Sequence, residues 1–165
     1  MGTSAPVKVH MGSGDKVWPG FVNIDKYSAR ADVHCDCLSI TMETDSVDEL
    51  HAIHLLEHLH RRDAVPALAE WARVLKPGGL MVLELPCLDK MARLIVEGEQ
   101  DLRFTVLGLY GDPRDPKPGM LHQWGWSIAE LTDALTQAGL SDVTVQEPVF
   151  HFAKRDMRIE ARKPC

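Results

Sequence analysis

Two glycines and an aspartate near the start of the chain have the types and spacing needed to hold a nucleoside. Gly12 and Gly14 follow the apolar run Val7–Met11, and Asp25 ends the next apolar run. Glycine lets the backbone of a turn approach a ligand because no Cβ atom keeps the ligand away. A carboxylate at the carboxyl end of the following strand can accept hydrogen bonds from ribose hydroxyls. This pattern predicts a site for an adenosine-containing ligand in an α/β sheet, although a glycine pair on its own is also typical of ordinary turns.

Length, charge and hydropathy limit the classes of protein to which the chain can belong. At 165 residues, of which 45% are hydrophobic and 25% charged, the composition is that of one globular domain over residues 1–165. The net charge of −6 argues against a nucleic-acid partner, which needs a broad basic face. The N-terminus has no apolar signal core, and no run reaches the roughly 18 apolar residues of a membrane span. We therefore expect a cytoplasmic domain with no membrane partner.

The four cysteines fit neither a disulfide framework nor a paired C-x-x-C zinc site; they are Cys35, Cys37, Cys87 and Cys165. In the run His34–Cys37, alternate residues of a strand point to opposite faces, so the two thiols do not share a face with His34 or Asp36. A two-thiolate site would still need two more ligands. We expect reduced structural thiols and no metal site.

Alternating and continuous apolar runs predict a sheet whose strands are joined by unusually short connections. Seven strands are predicted: Val7–Met11, Val22–Asp25, Ala31–Asp36, Glu49–His54, Leu80–Leu85, Val143–Val149 and Met157–Arg162. The last two are joined by a short link, which favours an antiparallel pair. Only short loops separate the first three, whereas parallel neighbours normally need a crossover of about a dozen residues, usually helical. One face of the sheet is therefore expected to lack helices and to be covered by the 88–110 segment or by a second subunit.

Helical spacing of apolar residues predicts three helices between and after these strands. One begins after Asp63 as its N-cap, one spans Leu88–Glu97, and one begins at Ser127, with Glu130 completing a capping box. Tyr110–His122 is predicted to be a loop because it is rich in proline, glycine and aspartate.

With its elements in this order, the chain resembles the class I S-adenosylmethionine-dependent methyltransferases, and most of all a small bacterial branch with a shortened N-terminal half. The resemblance covers nearly the whole chain. It is carried by VHMGSGDKVWPGFVNID, ADVHCDCLSI, SVDELHAIHLLEHL and EWARVLKPGGLMVLELP, and more weakly by GMLHQWGWSIAELTDALTQAGL. It implies a Rossmann-like, doubly wound, mostly parallel sheet with an antiparallel C-terminal hairpin, reduced N-terminal helices, and S-adenosylmethionine as cofactor. Two positions depart from the family pattern: His10 stands where members often carry an acidic residue, and Lys16 stands at the third glycine.

The resemblance also implies which residues touch the cofactor. By position they are Gly12, Ser13 and Gly14 at the methionine, Asp25 and Lys26 at the ribose, Asp36, Cys37 and Leu38 around the adenine, and His54 and Leu55 near the sulfonium. All of them lie beyond the carboxyl ends of predicted strands, where open α/β sheets bind ligands.

Methyl transfer needs in-line positioning and, for some acceptors, a base that removes a proton. Histidine is suited to that role because its ordinary pKa is about 6.5. His58, beside Glu57, and His122, in a loop with two tryptophans, are the catalytic candidates. Both also have structural interpretations, as hydrogen bonding at a helix start and as packing of the loop. We further predict that residues 110–126 close over the acceptor.

The chain is therefore expected to be an enzyme that methylates a small-molecule or sugar-type acceptor. One alternative is a non-catalytic S-adenosylmethionine-binding partner or regulatory subunit, for which an uncovered sheet face would provide a docking surface. A nicotinamide-dependent oxidoreductase is disfavoured, because the turn lacks a full G-x-G-x-x-G and a helix N-terminus to meet a pyrophosphate. A homo-oligomer that covers the bare sheet face is an expectation of the same reasoning.

Overall fold

The computed structural model describes residues 5–117 and 119–165, and these residues form one twisted sheet of six strands flanked by helices. The strands are β1 (Lys8–Met11), β2 (Val22–Ile24), β3 (Val47–Ile53), β4 (Leu75–Pro86), β5 (Ser141–Gln146) and β6 (Asp156–Arg162). Their order across the sheet is β2-β1-β3-β4-β6-β5. The first four are parallel, and β6 runs antiparallel to both β4 and β5. The predicted parallel sheet with an antiparallel C-terminal pair is therefore what the structure has.

The helices and short helical turns follow the carboxyl ends of β3 and β4 or connect later strands. They are a 3-10 turn (Leu56–His58), α1 (Arg61–Val74), α2 (Leu88–Val96), a 3-10 turn (Leu102–Phe104), α3 (Val106–Tyr110) and α4 (Ile128–Gln137). In the part of the chain that the structure describes, no helix is long and apolar enough to cross a membrane.

One face of the sheet carries the hydrophobic core. Alternate strand residues point to this face, including Val9 and Met11 of β1 and Leu50 and Ala52 of β3, which are paired in register. The apolar sides of α1 and α4 pack on the same face, and Trp71 of α1 is fully buried there. The core therefore lies between one sheet face and two helices.

The predicted strand Ala31–Asp36 is wrong, because only Val33 bridges to Ile24 of β2. Its neighbours use their polar groups locally instead of extending a ladder. The Asp32 carboxylate accepts from Asn23 N, and Asp36 accepts from Leu38 N in a turn. The third strand of the expected order is thereby reduced to a single bridge.

Loops instead of helices cover the second sheet face among the described residues, as the short connections after the first two strands predict. The loop after β1 places Trp18 over that face, where its ring stacks on His10 at 3.8 Å between centroids. Phe150, in the β5–β6 link, stacks on the other side of Trp18 at 4.7 Å. The link is held down by Glu84 of β4, whose buried carboxylate accepts from the backbone N–H groups of residues 149–151.

Charged side chains in ion pairs occupy the remainder of this face. Lys8 lies 2.7 Å from Glu49, and Arg158 lies 2.8 Å from Glu160. The 88–110 segment, which we expected over this face, instead packs on the β5–β6 link, where Lys90 Nζ donates to the carbonyls of residues 153 and 156. A covering second subunit remains a prediction.

One helix boundary and one half of a capping box differ from the sequence prediction. Helix α1 begins at Arg61, so Asp63 lies inside its first turn and is not the N-cap. The Ser127 hydroxyl does accept from Glu130 N, as the capping box requires. The Glu130 carboxylate, however, binds Arg61 and the Trp124 indole and does not return to the cap.

Candidate functional site

The glycine turn after β1 has the backbone that its sequence predicts. Gly12 and Gly14 adopt φ of +67° and +51°, a region that other residues rarely enter. A Cβ atom on Gly12 would lie 2.7 Å from Cδ1 of Leu55, so Gly12 is required by the close packing of that side chain. Around Gly14 the space is open, with no atom within 4 Å of such a Cβ among the described residues. The turn therefore offers a ligand its Gly14 side.

Asp25 lies beside this turn and holds it in place. Its Oδ2 accepts from Gly14 N at 2.9 Å, and its Oδ1 accepts from Tyr27 N and Ser28 N at 2.7 and 2.8 Å. A carboxylate has about four lone-pair sites, so about one remains for a ribose hydroxyl. Asp25 thus has room for about one hydrogen bond from a ribose hydroxyl, because the backbone of the turn uses its other acceptor sites.

The segment predicted to surround the adenine, residues 36–38, is linked by an ion pair to Lys26, the residue after Asp25. Lys26 Nζ lies 2.9 Å from Asp36 Oδ2 in a half-exposed ion pair. Cys37 is anchored by its carbonyl, which accepts from the buried Trp71 indole at 2.8 Å, and Leu38 is exposed beside it. Burial raises the pKa of the Cys37 thiol to about 12, so this thiol is neutral. Gly14, Asp25, Lys26 and the 36–38 turn thus line one edge of the sheet.

His54, which follows β3, lies between two buried carboxylates. It has φ of +51°, and its Nδ1 lies 2.9 Å from Glu57 Oε1 while its Nε2 lies 3.1 Å from Asp156 Oδ2. Burial by itself would lower the pKa of His54, but the charge of Glu57 and the hydrogen bond to Asp156 outweigh it and raise the pKa to about 9. His54 is therefore a cation at neutral pH, next to the predicted sulfonium position.

The two predicted catalytic histidines are brought together by the fold. The rings of His58 and His122 meet edge to face, with centroids 4.9 Å apart, and ligand atoms of both lie within 4.8 Å of a Glu57 carboxylate oxygen. Burial lowers the pKa of His122, partly offset by the negative charge of Glu57. An imidazole that is neutral at pH 7 can accept a proton, which is what a general base must do.

The 110–126 loop reaches from these histidines to the glycine turn. The backbone N–H groups of Gln123 and Trp124 donate to the Glu57 carbonyl, at 2.7 and 3.3 Å. Further along the loop, Lys117 Nζ lies 3.0 Å from Asp15 Oδ2, directly after the turn. The loop therefore spans the strand ends at which the predicted cofactor residues lie.

Three residues of this region were missed by sequence reasoning. Asp156 comes 102 positions after His54, and its carboxylate also binds the Arg155 guanidinium at 2.5 and 3.0 Å. His151 packs on His54 with ring centroids 4.1 Å apart. All three lie in the link before β6 or at its start, and no local spacing signals that this link returns to the end of β3.

Comparison with known proteins shows that part of this chain is similar to methyltransferases. A family model described as a methyltransferase domain matches residues 16–83. The methyltransferase GfsG of Streptomyces halstedii is 33% identical over 106 residues, which are 62% of this chain and 36% of that protein. Residues 16–83 contain β2, β3, α1 and most of β4. Over these residues the chain is similar to a methyltransferase domain.

Solved structures of methyltransferases have the same fold as this chain. An S-adenosylmethionine-dependent methyltransferase from Methanosarcina mazei has a TM-score of 0.68 at 17% identity, over 95% of this chain and 92% of that one. A Haemonchus contortus enzyme, solved in complex with S-adenosylhomocysteine and a phosphorylated ethanolamine, has a TM-score of 0.62 at 12% identity, over all of this chain and 50% of that one. At these identities the likeness establishes the fold. The chain spans only about a third of the length of GfsG.

Proposed function

We propose that the protein binds S-adenosylmethionine beside Gly14 and Asp25 and transfers its methyl group to a small-molecule or sugar-type acceptor. The observation that carries the proposal is the open space beside Gly14. The Asp25 carboxylate borders this space, with its Oδ2 2.9 Å from Gly14 N. The match of residues 16–83 to a methyltransferase domain and the methyltransferase name of GfsG support it. A nucleoside at this edge of the sheet also agrees with the general rule for open α/β sheets.

The residues at this edge divide the work of holding such a cofactor. Asp25 orients the turn and accepts from a ribose hydroxyl, while the side chain of Leu38 is exposed for contact with an adenine ring. Ser13 and Gly14 approach the methionine, and Leu55 packs over the base of the turn. When bound, the cofactor supplies an activated methyl group on a sulfonium.

The acceptor is proposed to bind between Glu57, His58 and His122, under the 110–126 loop. This acceptor position lies next to His54, the residue predicted to be near the sulfonium. The loop is attached there by its backbone N–H groups, which donate to the Glu57 carbonyl. The chain's charge of −6 favours an acceptor other than nucleic acid. A half-buried, neutral imidazole of His122 would take the acceptor's proton.

Calorimetric titration with S-adenosylhomocysteine tests the cofactor site. Replacing Asp25 with alanine should weaken binding about tenfold or more, because a charge-assisted hydrogen bond is lost. Asp25→Ala also removes the acceptor for Gly14 N, so the 2′- and 3′-deoxy analogues are needed to separate ribose contact from turn geometry. The wild type should bind at least one of the deoxy analogues more weakly than S-adenosylhomocysteine. Asp25→Ala should bind S-adenosylhomocysteine and both analogues with the same affinity. Asp45→Asn, a carboxylate paired with Lys163 before β3, is the matched control.

A folded Asp25→Ala variant with unaltered affinity would contradict the assignment of the ribose site. If removing each hydroxyl weakens binding by the same factor in the wild type and in Asp25→Ala, then Asp25 does not contact the ribose and serves only to hold the turn. If the wild type binds S-adenosylhomocysteine but labelled S-adenosylmethionine yields no methylated product with small hydroxylated or amino acceptors, the non-catalytic alternative gains.

A further inference from the structure

The Glu57 carboxylate is buried without the hydrogen bonds that such a group normally has. It is 1% exposed, and neither of its oxygens has a hydrogen-bond donor among residues 5–117 and 119–165. His54 Nδ1 lies 2.9 Å from Oε1, close enough for an ion pair but not aligned as a donor. By contrast, the buried carboxylates of Glu84 and Asp156 each accept several hydrogen bonds. Buried charges without hydrogen bonds are found where they are paired or coordinate a metal.

Two imidazoles lie near this carboxylate, and one nitrogen of each ring is hydrogen-bonded to a carbonyl, as in metal-binding histidines. His58 Nδ1 lies 3.3 Å from the Leu121 carbonyl, and His122 Nδ1 lies 3.0 Å from the Gly108 carbonyl. A carbonyl only accepts, so in each neutral ring the proton is on Nδ1 and the lone pair is on Nε2. A histidine that binds a metal almost always donates its other N–H in this way, because that contact fixes the tautomer and the ring orientation.

The three side chains are close enough to share one ion. One ligand atom from each of Glu57, His58 and His122 lies within 4.8 Å of the other two. For such a triangle a point exists within about 2.8 Å of all three atoms, compared with the roughly 2.0–2.2 Å of bonds from zinc to nitrogen and oxygen. Contraction by less than about 1 Å per ligand, within reach of side-chain rotation, would complete the bonds.

We propose that Glu57, His58 and His122 bind one divalent transition-metal ion, through a carboxylate oxygen and two imidazole nitrogens. Imidazole and carboxylate together suit zinc, iron, cobalt and manganese. Three protein ligands leave at least one coordination position open, as in catalytic metal sites. The thiols of the 35–37 segment, the only sulfur–histidine cluster that the sequence offered, take no part.

A second cluster of possible ligands, His54, His151 and Asp156, is a weaker candidate for the ion. Its carboxylate is already neutralised by the Arg155 guanidinium, which bonds to both Asp156 oxygens. Glu57 has no guanidinium beside it among the described residues, and its one close cation, His54, lies 2.9 Å away without being aligned to donate. The unsatisfied carboxylate therefore decides between the two clusters.

The site deepens the proposed function, on which this consequence rests: the ion would bind the acceptor through a hydroxyl oxygen. Because the lone pair of His122 is then bound to the ion, the ion takes the place of His122 in activating the acceptor. A divalent ion lowers the pKa of a bound hydroxyl, so the proton leaves to water at neutral pH. The oxygen then forms its bond to the methyl carbon as the bond from carbon to sulfur breaks, and the sulfonium becomes a neutral thioether. The acceptor class is thus an alcohol or a sugar hydroxyl.

Titration of chelator-treated protein with Co(II) tests the site, because cobalt bound by imidazole and carboxylate has visible absorption bands. The wild type should bind one Co(II) per chain, competed by Zn(II), without the near-ultraviolet band of a thiolate ligand. Glu57→Gln and His122→Gln should each weaken binding at least about 100-fold, since even loss of an outer partner costs 10–100-fold. Glu49→Gln is the matched control, because Glu49 also pairs with a histidine, His51, at 2.5 Å on the other sheet face.

Absence of Co(II) binding, a thiolate band, or equal affinity of the wild type and His122→Gln would overturn the site. His122 is only half-buried, so this variant decides the matter even where Glu57→Gln does not fold. Calorimetry with S-adenosylhomocysteine in chelator keeps the two proposals apart. Nucleoside binding without Co(II) binding refutes the metal site alone, and Co(II) binding without nucleoside binding refutes the proposed function and the acceptor role that rests on it.

Discussion

Replacing His10 with a side chain that cannot titrate should make the free energy of unfolding fall less when the pH is lowered. His10 is 3% exposed, and its ring stacks on Trp18. Burial lowers its pKa from 6.5 to about 4, so the folded protein holds it neutral. The unfolded chain takes up a proton below the ordinary pKa, so acid favours unfolding. The stability that a neutral His10 provides is complete above pH 6.5 and declines as the pH falls towards 4.

The size of the effect follows from the two pKa values. At about pH 5 the unfolded histidine is almost fully protonated and the folded one is almost fully neutral. With about 1.4 kcal/mol for each tenfold difference in proton affinity, unfolding is favoured by about 2 kcal/mol relative to neutral pH. His10→Phe keeps an aromatic ring beside Trp18 and should lack this contribution. His51, whose pKa is also lowered by burial, is present in both proteins, so its own titration largely cancels in the difference, although its charge contributes to the low pKa of His10.

Urea unfolding followed by tryptophan fluorescence measures this difference. The free energy of unfolding should fall between about pH 7.5 and pH 5 by about 2 kcal/mol more in the wild type than in His10→Phe. His10→Gln, which is smaller and equally unable to titrate in this range, guards against strain from the larger phenylalanine. Equal pH dependence in the wild type and both variants would mean that His10 is protonated in the folded state, and the assignment of a neutral stack would be wrong.

Three further perturbations examine the loops around the sheet. Glu84→Gln should destabilise the fold by about 2 kcal/mol and speed amide hydrogen exchange at residues 149–151, since one amide oxygen cannot accept all three N–H groups; unchanged exchange there would show that the link is held by other contacts. Deleting residues 112–119 should lower turnover at least about tenfold on an acceptor while S-adenosylhomocysteine binding persists, because a lid positions the acceptor and excludes water. Lys117→Met, which removes only an exposed ion pair, should change stability by less than about 1 kcal/mol. Full turnover in the deletion variant would rule out a lid.

Most of the strands could be predicted because their signal is local. The buried strand β4 appears as the near-continuous apolar run Leu80–Leu85, as a sheet covered on both faces requires. The stretch Ala31–Asp36 has similar alternation, yet it forms one bridge, because Asp32 and Asp36 bond to nearby backbone N–H groups and end the ladder. Competition of this kind between side chain and ladder depends on loop geometry, which alternation of apolar residues does not record.

The candidate site was predictable to a similar degree. Gly12, Gly14 and Asp25 are close in sequence, so the turn that joins them could be foreseen. That His58 would meet His122 was not foreseen, although each was chosen separately for its chemistry. No sequence pattern identified Glu57 as a buried carboxylate without hydrogen bonds, because its hydrogen bonding depends on all the groups that pack around it in the folded protein.

The sequence by itself determined the class of sheet, the glycine turn and the absence of crossover helices after the first two strands. These follow from side-chain periodicity, from glycine's freedom at positive φ and from the number of residues between strands, all of which act over short stretches of chain. Only the tertiary structure decided that loops carrying Trp18 and Phe150 replace the missing layer, and that His54 would meet Asp156. Those contacts join distant segments at one end of the sheet, and strand order, register and loop path together select which side chains face each other there.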